Sequence, residues 1–76
     1  MSPNARLVRA ADLLGYRWVN EYEEKYNPDG STGYIIFPNN TRSELIHVRD
    51  AVSDRGLRDI MTKAMKKCAE LKELRF

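Results

Sequence analysis

The hardest constraint on this chain comes from its last third. Leu57, Ile60, Met61, Ala64, Cys68 and Leu71 recur at steps of three and four residues, which places them on one stripe of an α-helix. The opposite side carries Arg55, Asp59, Thr62, Lys63, Lys66 and Glu73. A helix with one apolar stripe draws most of its stability from packing, so the stripe needs a flat apolar surface to cover it. Ser53 or Asp54 stands where a cap for this helix belongs. Gly56 weakens its first turn. Asp59 pairs with Lys63 and Lys66 one and two turns further on, as on ordinary solvated faces.

The middle of the chain supplies that surface. Tyr16, Trp18, Asn20 and Tyr22 alternate with Arg17, Val19 and Glu21, a period of two rich in aromatic and β-branched residues that predicts a first strand. Asn27-Pro28-Asp29-Gly30 predicts a turn, because proline presets one dihedral and glycine accepts positive φ. Tyr34-Ile35-Ile36-Phe37 predicts a second strand, and Pro38-Asn39-Asn40-Thr41 another turn. Residues 44–49 alternate again, with Leu45, His47 and Arg49 on one side and Glu44, Ile46 and Val48 on the other. This predicts a third strand. Before the strands, Ser2-Pro3 opens a helix, and Leu7, Val8, Ala10, Ala11 and Leu14 follow at helical spacing up to Gly15. Serine caps, proline suits the first helical position, and glycine ends the helix, which is predicted over 3–14. Strands joined by short turns pair as an antiparallel meander. The expected fold is therefore α+β: a two-layer sandwich of order αβββα, with both helices on one face of a three-stranded sheet. Trp18, Ile46 and Val48 then point inward, and Arg17, Val19, Glu21, His47 and Arg49 point to an open face.

A chain of 76 residues suits one domain, 1–76, with a small core. One cysteine makes no internal disulfide, and no Cys/His cluster suggests a metal or a cofactor. The lone thiol fits a reducing, cytoplasmic setting. No apolar run approaches the roughly 20 residues that cross a bilayer, and Met1 to Arg6 lead into no signal core. These features fit a soluble globular domain, and a core this small makes a homodimer a natural supplement.

The net charge is +2, unevenly spread. Glu21, Glu23, Glu24 and Asp29 outweigh Lys25 in the middle, whereas both ends carry a basic excess. His47 is the only residue whose ordinary pKa lies near neutrality. Sharing a strand face with Arg49, it is a candidate catalytic residue of a ribonuclease-like kind. It would need Glu21 or Tyr34 as a second acid or base. Cys68 lies on the apolar stripe, which suits a structural thiol. The four glycines form no phosphate loop, and Ser31, Ser43 and Ser53 have no nucleophile pattern. Six aromatic residues crowd between Tyr16 and Phe37. Tyr22, Tyr26 and Tyr34 exceed what so small a core can hide. Beside Arg17 and Arg49 they suit base stacking, and they equally suit a protein interface.

Several local features resemble the HicA-type small mRNA-interferase toxins, relatives of the double-stranded-RNA-binding domain. Leu13-Leu14-Gly15-Tyr16-Arg17-Trp18 is similar to that family's helix, glycine and tryptophan-bearing first strand. Gly30-Ser31 precedes the Ile36-Phe37 strand, His47 lies on the third, and Arg55-Gly56-Leu57-Arg58-Asp59-Ile60 opens the last helix. The resemblance implies the same αβββα shape and an RNA-facing surface. It does not carry over the activity, which depends on a second-strand histidine that Thr32-Gly33-Tyr34-Ile35-Ile36 lacks. The lysine-rich helix start of the double-stranded-RNA domain has a displaced counterpart in Lys66-Lys67-Cys68-Ala69.

The expected function is a small binding module rather than an enzyme. One reading is contact with RNA or DNA through Arg17 and Arg49 on the sheet and Lys63, Lys66 and Lys67 on the last helix. Another is a protein-binding accessory or inhibitor of the phage or mobile-element kind, using the acidic hairpin with Tyr22, Glu23, Glu24 and Tyr26. A third is a toxin-like ribonuclease built on His47.

Overall fold

A computed structural model describes residues 2–21 and 31–73. Helix α1 spans Pro3–Leu13, strand β1 Arg17–Asn20, strand β2 Thr32–Ile36 and strand β3 Ile46–His47. A 3₁₀ helix covers Val48–Val52, and helix α2 runs over Asp54–Glu73. The strands pair antiparallel in the order β1-β2-β3. The αβββα order and the meander are as the alternation predicts. The expected turn at Asn27-Pro28-Asp29-Gly30 lies outside the described residues.

Each boundary of α1 has a local cause. The Ser2 hydroxyl accepts from the Ala5 N–H at 3.2 Å, and Pro3 takes the first helical position. At the other end Tyr16 N–H donates to Ala11 C=O and Gly15 N–H to Asp12 C=O. This is the paired closure of a Schellman motif, and Gly15 carries the positive φ of 75° that it requires.

One interior joins every element. Leu7 and Ala11 of α1, Trp18 of β1, Ile35 of β2, and Phe37 just beyond it are buried with Val48 and Ala51 of the 3₁₀ helix and Met61, Ala64 and Cys68 of α2. The sheet residues in this cluster all lie on one side of the pleat. Tyr16, Ile46, Leu57, Ile60 and Leu71 pack around it, and Tyr16 meets Phe37 edge-on with centroids 5.0 Å apart. Both helices therefore cover the same sheet face. Trp18 ties the layers: its Nε1–H points at Asn4 Oδ1 of α1 (3.0 Å) and at Asn20 Oδ1 (3.2 Å). Its ring lies over Gly33, where a Cβ would fall 2.6 Å from Cζ2 of the indole and 2.3 Å from the Val19 carbonyl oxygen.

The third strand departs from expectation. Alternation predicts residues 44–49, but β3 is only Ile46–His47. Two effects shorten it. Thr32 faces His47 and Gly33 faces Ile46, while Ile36 bridges to Arg42. The two registers differ by one residue, so residues 43–45 hold a β-bulge. Ser43 fills the gap: its hydroxyl accepts from Ile35 N–H at 2.9 Å, and its own N–H donates to Ile35 C=O at 2.9 Å. Beyond His47 the chain coils, because Val48 and Ala51 must both reach the interior, and a spacing of three suits a 3₁₀ helix. Arg49 is therefore on that helix and not on a strand face with His47.

The start of α2 depends on the same turn. Ser53 is the cap, its hydroxyl accepting from Gly56 N–H at 3.0 Å. Gly56 is required by proximity: a Cβ there would lie 1.9 Å from the Asp50 carbonyl oxygen. Arg6 joins Asp54 at 2.6 Å, linking α1 to α2 at an exposed position where an ion pair adds under about 1 kcal/mol. The Asp59–Lys63 and Asp59–Lys66 pairs are not among the ion pairs of the described residues.

Two substitutions test these contacts. In an unobstructed helix Gly→Ala stabilises by about 1 kcal/mol, yet Gly56→Ala is expected to destabilise by about 1–3 kcal/mol because the added carbon displaces backbone. A urea midpoint that rose would refute the close approach. Ser43→Ala leaves Ile35 N–H without its acceptor and is expected to cost about 1–3 kcal/mol. An unchanged midpoint would mean that the hydroxyl does not hold the bulge.

Candidate nucleic-acid interface

The face turned away from both helices follows from the register. Arg17 lies opposite Ile36, Val19 opposite Tyr34, and Thr32 opposite His47. These residues share the pleat side opposite to Trp18 and Ile35. None of them belongs to the buried apolar cluster, except that Ile46 next to His47 packs against it from the other side of the strand. Arg17 and His47 are exposed, and Tyr34 and Ile36 are half-buried. The bulge brings Arg42 in beside Ile36, and its guanidinium carbon lies 4.9 Å from the centroid of the Tyr34 ring. The centre of the open face is thus an aromatic ring with a cation stacked on it.

A second feature lies along the β3 edge. A groove of about 380 Å³ separates β3 from α2, with Leu45, Ile46, Ile60 and Ala64 among its walls. Lys63, Lys66, Lys67 and His47 line it together with Glu44, Asp50 and Glu70, so its cations are balanced by carboxylates.

The five cations expected to contact nucleic acid divide among these places. Arg17 is on β1, at the far edge of the sheet from β3. Lys63, Lys66 and Lys67 line the groove. Arg49 lines an adjoining hollow with Arg55, Asp59 and Lys63. Sequence patterns alone do not mark Arg42. It belongs to no periodic run, and only the bulge register carries it to Tyr34. The arginine beside the Tyr34 ring is therefore Arg42 and not Arg49.

His47 is exposed at the corner where the open face meets the groove. The two suggested partners are not assembled with it. Glu21 N–H donates to Thr32 C=O at 2.8 Å and Thr32 faces His47, so Glu21 is two strands away, about 10 Å. Tyr34 is engaged with Arg42. Tyr22, Glu23, Glu24 and Tyr26, the expected protein-binding hairpin, lie outside the described residues.

Cys68 is buried in the interior. Among the described residues no group of three or more His, Cys, Asp or Glu is placed to hold a metal ion, and no helix is long and apolar enough to cross a membrane. Compared with protein-family models, curated proteins and solved structures, the chain matches none.

Tyr16, on the core side, shows how the interior differs from the open face. Burial, and then the Cys68 thiol beside it, hold its phenol above the ordinary value of 10.0. The unfolded chain gives up this proton first as pH rises. The resulting stabilisation is complete below about pH 10 and is lost as pH climbs through the folded-state value. Tyr16→Phe removes this contribution. Its urea midpoint is expected to fall less between about pH 8 and about pH 11 than that of the parent protein. Equal falls would show that Tyr16 is not the group concerned.

Proposed function

We propose that this chain is a small binding module that contacts RNA or DNA, using the open sheet face and the basic side of α2. The observation that carries the reading is the sheet face turned away from both helices, which no described helix covers. Arg17 and Arg42 stand on it, with the Arg42 guanidinium over the Tyr34 ring of the central strand. Permanent guanidinium charges beside an aromatic ring match a polyanion that carries flat bases. Lys63, Lys66 and Lys67 add phosphate-binding ammonium groups beyond His47, interleaved with Glu44, Asp50 and Glu70.

Binding of this kind is driven by counterion release and weakens steeply with salt. Anisotropy of labelled single-stranded RNA, duplex RNA and duplex DNA, read across a salt series, tests it. The expected result is micromolar or tighter binding at low salt, with a log–log slope of several units. Replacing Lys63 and Lys67 together by alanine is expected to flatten the slope by about one to two units. No binding at low salt would overturn the proposal. A gel run on the same samples tests the toxin-like alternative, which requires RNA cleavage that His47→Ala abolishes.

A further inference from the structure

We infer that the Tyr34–Arg42 pair is a stacking platform for an unpaired base, so that the ligand of the open face is a single strand rather than a duplex. This rests on the nucleic-acid reading above and goes further, naming the form of the ligand and the pair that selects it.

Three observations carry it. Tyr34 is on β2, the central strand, where neighbouring side chains on its own face are the short aliphatic Val19 and Ile36. It is only half-buried and contributes nothing to the core. Arg42, in turn, has its backbone held on both sides. Phe37 N–H donates to Thr41 C=O at 2.8 Å, and Ser43 N–H donates to Ile35 C=O at 2.9 Å. Asn40 supplies the positive φ of 66° that turns the chain back onto the sheet, and Asn39 Oδ1 accepts from Thr41 N–H at 3.1 Å. These bonds fix where the Arg42 side chain leaves the backbone, and its guanidinium carbon already lies 4.9 Å from the Tyr34 ring centroid without a ligand. Finally, the charge on this face is modest. Two arginines against Glu21 suit a contact that draws on stacking as well as on phosphates.

The chemistry then selects the ligand. Bases inside a duplex are stacked on one another and present only their edges. The guanidinium over the Tyr34 ring presents a planar cation backed by the ring, on which only an unpaired base can stack. The planar cation both stacks and keeps N–H groups for a phosphate or a base edge. The lysines beyond His47 are placed to follow the phosphates on.

Competition and substitution test the inference. The parent protein is titrated with a uridine-rich single-stranded RNA, the matching single-stranded DNA, a duplex RNA of equal length, and a strand whose central nucleotides are abasic. Single strands are expected to bind at least about tenfold more tightly than the duplex, and the abasic strand to lose about 5- to 160-fold, the range of one stacked base. Tyr34→Ala is expected to lose as much on the intact strand with its salt slope unchanged. Tyr34→Phe is expected to bind within about twofold, since the ring face is kept. Arg42→Ala is expected to lower the slope by about one unit. The RNA and DNA arms decide which sugar is preferred. If the duplex binds as well as the single strands, or the abasic strand binds as well as the intact one, the platform is refuted while the binding module stands. If no strand binds at low salt, both fall. The abasic arm uses the unaltered protein, so its outcome does not depend on how any variant folds.

Discussion

Trp18 is the contact through which the helical layer and the sheet share one interior. Its ring lies across Gly33, and its Nε1–H reaches Asn4 of α1 and Asn20 of its own strand. The indole can lie there only because residue 33 has no side chain. That flat seating leaves Ile35 and Phe37 free to meet Leu7, Ala11 and the apolar stripe of α2. With no disulfide, a core this small needs each such contact to do two things. Trp18 buries area and satisfies its own polar atom, a combination that suits tryptophan at a boundary between layers.

The second half of the sheet depends on a bulge. Ser43 substitutes a hydroxyl for a backbone carbonyl as the acceptor of Ile35 N–H, and the register shifts by one residue between Arg42 and Ile46. The shift lets two demands coexist. Ile46 still packs toward the core, while Arg42 is turned to the opposite face against Tyr34. The strand then gives way to a 3₁₀ helix whose Asp50 carbonyl approaches Gly56. In this way the edge of the sheet, the start of α2 and the cationic pair on the open face are linked through one short segment. Placing both helices on one face leaves the other clear of both, and the proposed nucleic-acid contact rests on the guanidinium groups and the aromatic ring of that face.

Much of this architecture is legible residue by residue. The stripe from Leu57 to Leu71 announces α2, and the caps Ser2 and Ser53 mark where the helices begin. Gly15 ends α1 because it alone tolerates the required dihedral. The two-residue period around Trp18 assigns its strand and face, whereas the apolar run Tyr34-Ile35-Ile36-Phe37 assigns a strand without saying which side faces the core. These signals are local: each depends on hydrogen bonds or side-chain spacing within a few residues. The third strand misled because alternation over residues 44–49 is real, with Leu45 and His47 outside and Val48 inside, but alternation does not say whether a backbone pairs. Ile46, His47 and Val48 point as expected, whereas Glu44 is exposed and Arg49 leaves the strand.

The amino-acid sequence by itself determined the element order, the helix ends and the buried stripe of α2, since propensity, capping and periodicity act at short range; it did not mark Ala51 as buried or Val8 and Leu14 as exposed. The tertiary structure alone decided three further things. It decided that Gly56 and Gly33 are places of close backbone approach rather than weak points. It separated Arg49 from His47 by coiling the chain to bury Ala51. It brought Arg42 onto Tyr34, from another strand and across a one-residue slip. These depend on which segments lie side by side and in what register, and register is a property of two strands together that neither carries alone.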